Sequence, residues 1–468
     1  MANHTVVLYP SPTIGHLISM IELGKFILKH YPTLSITVLI TTPPFNTGST
    51  APYINHVSKT IPLINIHHLP IVSLPPTSSS HMETFELLNL NIPLVCQALH
   101  TISQTSIIQS LIIDTFCTSA LDIAINLNIP TYYFFTSGVS ALAHLLYFPT
   151  FAKTNFKSLQ DRGTYLHFPG LPRISVSDMP KPMLGTTGKV YDFILNVATS
   201  LPKSSGIIVN SFESLEPQAL EAISDGICVL DAPTPPIYCI GPLIADADRS
   251  DTGKAHECLN WLDLQPSRTV VFLCFGSLGL FSEAQLKEIA TGLENSGLRF
   301  LWVVRTPPTD NETKRFIAPA EPNLDALLPA GFLDRTRDRG LVVKSWAPQV
   351  EVLSHESVGG FVTHCGWNSV LEAICVGVPM VAWPLYAEQR LNKVVMVEEM
   401  KIALKLEESE EGFVCANELE KRVRQLMDSD EGKIIREQTA KMSKEANAAM
   451  GVGGSSLNAL SALATSWT

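Results

Sequence analysis

Apolar residues in this chain come in short continuous runs, each followed by a longer stretch with apolar residues at helical spacing. Thr5-Val6-Val7-Leu8-Tyr9 is one such run, and Pro10-Ser11-Pro12-Thr13-Ile14-Gly15 reads as the loop behind it. From His16 onward, Leu17, Met20, Ile21, Leu23, Phe26 and Ile27 mark one face of a helix. Residues 35–40 form a second run, ended by Pro43-Pro44. Strand, helix and strand in quick succession predict a parallel sheet. The alternation goes on through residues 63–67, a helical stretch from Met82, and runs at 110–114 and 130–135. Thr136-Ser137-Gly138 then opens another helix. Residues 151–190 are proline-rich and irregular, and further runs follow at 206–210 and 238–242.

Between 243 and 253 the composition shifts to Ala, Asp, Arg, Ser and Gly, which predicts a linker. A second series of the same rhythm starts at 270–277 and continues through 300–304, with an exposed insertion expected over 306–324. Gly451-Val452-Gly453-Gly454 ends that series, and Ser455-Ser456 can cap a last helix through Leu457, Leu460 and Leu463. The expected organisation is a first domain over 1–243, a linker over 244–253, a second domain over 254–450 and a terminal helix over 451–468.

The densest chemistry lies from Trp346 to Gln389. Gly359-Gly360 releases the chain into an apolar run at 361–363 that is short enough for a buried strand. His364-Cys365-Gly366 turns the corner, and Asn368 or Ser369 can cap a helix through Val370, Leu371, Ala373 and Ile374. Gly377 and Pro379 stop that helix, and 380–383 reads as the next strand. A strand–turn–helix directs unpaired backbone N–H groups and the positive end of the helix dipole at whatever lies above the turn. His364, Asn368 and Ser369 collect there, with Glu372 a helical turn further on. Donors at the turn suit a diphosphate, and a carboxylate just beyond suits a ribose diol. On chemical grounds this is a nucleotide site.

The block W-A-P-Q, H-C-G-W-N-S, E and E-Q, in that order from Trp346 to Gln389, resembles the signature of the plant secondary-product glycosyltransferases, the family 1 UDP-sugar-dependent enzymes. The resemblance runs from the His16 segment to the last helix. It implies an α/β chain of the GT-B class: two Rossmann-like, doubly wound domains facing one another across a cleft, with the last helix crossing back to the first domain. It also implies roles. Trp346 offers a plane for uracil, the backbone of Ala347 pairs with the base edge, and Gln349 and Glu372 take the ribose. His364, Gly366, Asn368, Ser369 and Ser277 meet the diphosphate. Trp367, Glu388 and Gln389 hold the sugar hydroxyls, with Thr136 reaching in from the first domain and Tyr386 beside them.

For the first domain, the P-S-P-T-I-G-H context of His16 resembles the family's catalytic loop. A helix N-terminus disfavours imidazolium, so a neutral ring there can accept a proton. In the family an aspartate matching Asp114 orients that histidine and stabilises its protonated form, like a hydrolase triad without the serine. Phe116, Phe135 and Tyr386 are candidate acceptor walls. The implied reaction is inverting transfer of glucose from UDP-glucose to a hydroxyl of a small phenolic acceptor such as a flavonoid or chalcone. Another UDP-sugar, a C-linked product and a non-catalytic nucleotide-sugar binder are the alternatives. A nicotinamide oxidoreductase would carry G-x-G-x-x-G after its first strand, where this chain has P-S-P-T-I-G-H.

Composition narrows the partners. A chain of 468 residues with 46% hydrophobic and 16% charged residues is globular and large enough for two cores. A net charge of −11 argues against a nucleic-acid partner and leaves the anionic donor to local dipoles and a few side chains. The nine cysteines form no CxxC pair, several sit in apolar runs, and free thiols in a reducing cytosol are expected. The N-terminus lacks the pattern of a signal peptide, and no apolar stretch reaches the length of a membrane span. Asp246-Ala247-Asp248 matches a metal-binding D-x-D pattern, but it lies in the polar linker with no strand before it. No metal and no cofactor beyond the UDP-sugar co-substrate are expected, and the cytoplasmic enzyme is expected to act as a monomer.

Overall fold

The computed structural model describes residues 3–43, 50–74, 83–154, 164–185, 187–245, 256–308 and 321–467. The chain divides into two compact units, Met1–Ala245 with Asn447–Thr468, and Asp246–Ala446. Most of the expected linker, including Asp246-Ala247-Asp248, lies outside the described residues, as do 309–320 of the expected insertion and Met82. Among the described residues no helix is long and apolar enough to cross a membrane.

The first unit holds strands β1 (Asn3–Tyr9), β2 (Ser35–Ile40), β3 (Ile64–His68), β4 (Ser106–Asp114) and β5 (Thr131–Phe135). A small antiparallel pair, β6 (Tyr165–Leu166) and β7 (Ile174–Ser175), precedes β8 (Gly206–Val209) and β9 (Ile237–Cys239). Seven of these strands form one parallel sheet in the order β3-β2-β1-β4-β5-β8-β9. The chain therefore winds outward from β1 on one side, then returns to start again at β4 on the other. That reversal is the switch point at which doubly wound sheets bind ligands. β1 and β4 run side by side there, with Tyr9 opposite Ile113.

The second unit repeats the plan with β10 (Val270–Cys274), β11 (Arg299–Val304), β12 (Gly340–Lys344), β13 (Val358–Thr363), β14 (Met380–Ala382) and β15 (Ala403–Lys405), all parallel in the order β12-β11-β10-β13-β14-β15. Its switch point lies between β10 and β13, with Cys274 opposite Thr363. Two parallel, doubly wound, Rossmann-like units make up the GT-B class.

Both sheets are covered on their two faces, so their central strands are continuous apolar runs rather than alternating ones. Val6, Val7, Leu8 and Tyr9 of β1 are fully buried, as are Val270, Val271, Phe272 and Leu273 of β10. Phe272 stacks on Phe361 of β13 at 5.3 Å. Burying each such side chain contributes about 1.5–3 kcal/mol.

Two local expectations are corrected. Gly359 and Gly360 do not precede β13; they lie inside it. The pairing with β10 passes from Val358 to Gly360, so Gly359 is an unpaired bulge residue. A Cβ there would run into the Arg268 backbone, and one on Gly360 would meet Leu426 at 2.9 Å. The glycines let flanking structure close over the strand. At the chain end, Gly454 rather than a serine stands before the helix Ser455–Thr465, and no side chain caps it. Ser456 instead donates to the Gly241 carbonyl, while Leu460 and Leu463 join the core around β1 and β2.

Candidate active site

In the first unit, the connection after β1 leads into the helix Ile14–His30, placing His16 in its first turn. Asp114 is the last residue of β4, the neighbouring strand. The switch point therefore brings together two residues distant in sequence. His16 Nδ1 lies 2.7 Å from Asp114 Oδ2 and 3.2 Å from Thr136 Oγ1, just past β5. A carboxylate can only accept, so Nδ1 carries the proton and Nε2 is left as the basic nitrogen. The aspartate is held in turn. It is fully buried, and its Oδ1 accepts from the Phe116 N–H, capping the short 3-10 turn Thr115–Ala120. It serves at once as a cap and as the histidine's partner.

Thr136, expected among the donor ligands, has its hydroxyl 3.2 Å from the His16 ring. Just behind it, the buried Glu216 accepts from the N–H groups of Val139 and Ser140 and from the Ser211 hydroxyl. Burial pushes the Glu216 carboxyl up in pKa despite these bonds. They fix the start of the helix Val139–Thr154 and hence the chain segment that carries Thr136.

An aromatic wall extends from His16. The Phe116 ring lies 5.2 Å from His16. Phe85 stands edge-on to Phe116 at 5.5 Å and stacks on Phe193 at 3.9 Å. Phe85 comes from the helix Glu83–Leu90 and Phe193 from the helix Lys189–Ser200, and neither was singled out in the sequence. No local pattern marks them, because only the fold carries these two helices to the end of β4. Phe135 is buried within β5, at 8% exposure, and its ring is not among this group.

In the second unit, His364 follows β13 and Ser277 follows β10, the two strands at the switch point. Gly276 has φ +70°, and a Cβ there would lie 2.6 Å from His364 Nε2. A Cβ on Gly366 would also strike Nε2. The imidazole is thus wedged between two glycines, at 6% exposure. Burial pushes its pKa down to about 4, so the ring is neutral, and its Nδ1 finds no partner among the described residues.

The helix Trp367–Val376 starts after Gly366 with no side-chain cap. This corrects the expectation that Asn368 or Ser369 caps it. Both lie inside the first turn, and the residue at the cap position must be glycine to clear His364. The first N–H groups of the helix consequently remain open to an anion.

Two non-glycine residues with positive φ lie in this block, Cys365 at 64° and Ala387 at 53°, and a third, Ser345 at 65°, directly precedes it. They immediately flank Trp346, His364 and Glu388. Strain of this kind is retained where surrounding structure fixes it, and it clusters at ligand sites. Asn392 ties two of these corners together, donating to the Cys365 carbonyl at 3.0 Å and to Glu388 Oε1 at 3.5 Å.

Trp346 is 52% exposed, an unusual position for an indole, and His256 meets it edge-on at 5.7 Å. Ala347 beside it is buried. Gln349 donates to Ser369 Oγ at 2.8 Å and to Glu372 Oε2 at 2.6 Å, joining the three expected ribose and phosphate residues in one network. Tyr386 is partly exposed, and its ring lies 6.1 Å from that of His364. Trp367 is buried at 4% exposure. Gln389 is also buried, its Oε1 accepting from the Leu385 and Tyr386 N–H groups. Among the described residues, no group of three or more His, Cys, Asp or Glu is arranged to hold a metal.

Comparison with known proteins agrees with this architecture. Residues 226–443 match the family described as UDP-glucoronosyl and UDP-glucosyl transferase. The chain is 50% identical to an anthocyanidin 5,3-O-glucosyltransferase of a Rosa hybrid cultivar, covering 100% of this chain and 99% of that one. It is 49% identical to a phloretin 2'-O-glucosyltransferase of Malus domestica, covering 96% and 97%. Among solved structures, a Phytolacca americana transferase complexed with UDP-2-fluoro-glucose and pterostilbene superposes with a TM-score of 0.89 at 36% identity, covering 100% of both chains.

Proposed function

This chain belongs to the plant UDP-glycosyltransferases of the UDP-glucoronosyl and UDP-glucosyl transferase family, and from that membership we propose that it moves glucose from UDP-glucose onto a hydroxyl of a small phenolic acceptor, with inversion. The observation that carries this reading is the His16–Asp114 pair at the end of β1 and β4 with an aromatic wall beside it. His16 Nε2 takes the acceptor proton as the acceptor oxygen bonds to the anomeric carbon. The bond from that carbon to the diphosphate oxygen breaks, and UDP leaves with the electron pair. Asp114 accepts from Nδ1 and stabilises the imidazolium as it forms. Attack opposite the leaving group turns an α-linked donor into a β-glucoside.

The second unit supplies the donor side. Trp346 faces the uracil, and Gln349 with Glu372 takes the ribose. The uncapped helix, Ser277 and His364 receive the diphosphate, stabilising the departing charge. Tyr386, Glu388 and Gln389 border the sugar. A phenolic ring suits the wall of Phe85, Phe116 and Phe193, since offset and edge-to-face aromatic contacts contribute about 0.5–1.5 kcal/mol each beyond area burial. The relatives' names support this acceptor class: one acts on anthocyanidin and another on phloretin, and a solved neighbour holds a stilbene. The nine free thiols suit a reducing cytosol, and we read the enzyme as monomeric.

The test is a panel of phenols incubated with UDP-glucose, the products identified by mass spectrometry and NMR. A β-O-glucoside on a phenolic hydroxyl is the expected product. An α-linked or C-linked product, or no transfer to any phenol, overturns the reading. Competing UDP-glucose, UDP-galactose and UDP-glucuronic acid at equal concentration tests the donor, with glucose expected to win.

A further inference from the structure

The diphosphate site described so far is electrically neutral. His364 is uncharged, the Ser277 turn offers a hydroxyl and backbone groups, and the helix Trp367–Val376 offers only its dipole. The whole chain carries −11. A nucleoside diphosphate arriving there brings at least two negative charges into a partly desolvated place, and neutral donors alone leave that charge uncompensated.

One cation stands beside this turn. Arg305 directly follows β11, the strand paired with β10 on the side away from β13. Its Nη1 donates to the Gly276 carbonyl at 3.4 Å and also to the Ser277 carbonyl. Gly276 is the residue that abuts His364 Nε2, so guanidinium, turn and imidazole meet at one point. Tyr386, whose ring neighbours His364, also lies close enough to influence Arg305 electrostatically. The guanidinium is only partly exposed, and among the described residues no carboxylate lies within ion-pairing distance of it. Two carbonyls occupy one nitrogen of a five-donor fork, and the remaining donors have no partner among the described residues.

An arginine in this state differs from its neighbours. Arg390, which lies near Cys365, is bidentate on Glu408 at 3.1 and 2.8 Å and is already neutralised. A half-buried guanidinium with no carboxylate partner among the described residues, linked to the His364 ring through Gly276, suits a doubly charged oxyanion, which can accept from several of its N–H groups.

We propose that Arg305 is the cation that meets the donor's diphosphate, holding the Ser277 turn through its carbonyls while its remaining N–H groups face the phosphate oxygens. This rests on the donor site proposed above. It also gives the arginine a part in catalysis, because charge accumulates on the diphosphate as the glycosidic bond breaks.

The experiment is calorimetric titration of UDP and of uridine into the full-length wild type, Arg305→Gln and Arg305→Lys, at low and high salt. Arg305→Gln is expected to lose roughly ten- to a hundredfold in UDP affinity, the size of hydrogen bonds to a charged group. Its uridine affinity should be unchanged, and its UDP affinity should depend less on salt than that of the wild type. Arg305→Lys should recover part of the loss. Unchanged UDP binding in Arg305→Gln overturns the assignment. Equal losses for UDP and uridine, or a lysine variant as weak as the glutamine one, reduce Arg305 to a structural support and overturn it too. A wild type that binds neither ligand defeats the donor site itself and so marks a different failure.

Discussion

Two histidines stand at corresponding places in the two units. Each follows a strand at the switch point of a parallel sheet, and each lies at or just before the first turn of a helix. His16 is 26% exposed and bonded through Nδ1 to a buried carboxylate. His364 is almost fully buried, wedged against two glycines, with no carboxylate in contact among the described residues, and its pKa is pushed down to about 4. The first environment allows a ring to take up a proton and hold it. The second keeps a ring neutral. Topology places the imidazole, and its immediate neighbours decide whether it does acid–base work or serves as a fixed hydrogen-bonding group.

The largest effect that separates the two comes from removing each ring. His16→Ala is expected to cut turnover by roughly a hundred- to ten-thousand-fold, the usual size of general-base catalysis, with UDP affinity unchanged. His364→Ala is expected to weaken UDP binding. Steady-state kinetics and UDP titration on both variants check this, and a His16→Ala enzyme of near-normal turnover would remove the contrast.

Next in size is the carboxylate. Asp114→Asn keeps a hydrogen-bonding side chain while removing the charge that supports imidazolium, so its loss of kcat should be clear yet smaller than that of His16→Ala. A loss as large as that of the histidine variant would mean that Asp114 does more than orient and stabilise.

A single methyl group tests the glycine wedge. Gly276→Ala places a Cβ 2.6 Å from His364 Nε2 at a residue of φ +70°, so the ring or the turn must shift. A left-handed conformation alone costs an alanine about 1–2 kcal/mol. That cost falls on folding stability, while the displaced His364 ring should weaken UDP binding and the His16 pair in the other unit is untouched. Unaltered UDP binding would show that the wedge is not needed.

A separate effect is on stability in acid. Burial holds His364 at about 4 and His144 at about 3, against 6.5 for a free imidazole. Between those values and 6.5 the unfolded chain binds a proton that the folded chain does not, so stability falls as pH drops. Each ring contributes at most about 1.4 kcal/mol per pH unit over that window, and nothing above pH 7. Urea midpoints measured from pH 7 to pH 5 should decline, and His144→Gln should flatten the decline. A curve level over that range would mean that these rings are not held neutral.

Much of the second unit is legible in the sequence. The donor block is local, since its strand, turn and helix occupy one continuous stretch and the hydrophobic period changes at each boundary. What the pattern misjudged there was steric. Gly359 and Gly360 looked like a loop because a residue code does not show the Arg268 backbone and Leu426 pressing on β13. Asn368 and Ser369 looked like caps because nothing local says that His364 forbids a Cβ at Gly366. Arg305, directly after the apolar run of β11, shows in the sequence only as a charge at a strand end, which by itself does not mark a ligand.

The first unit was less legible at its site. His16 and Asp114 were identified by resemblance, but their 2.7 Å contact spans 98 positions and depends on β4 pairing with β1 across the sheet reversal. Phe85 and Phe193 reach Phe116 only because two helices from separate parts of the chain converge there. The sequence by itself determined the order of strands and helices, the two-unit plan and the local strand, turn and helix from Trp346 to Gln389, because hydrophobic period and turn chemistry act over a few neighbouring residues. The tertiary structure alone decided which histidine has a carboxylate partner, which aromatic rings form a wall and where the unpaired arginine stands, because burial and contact distance arise only when distant segments close on one another.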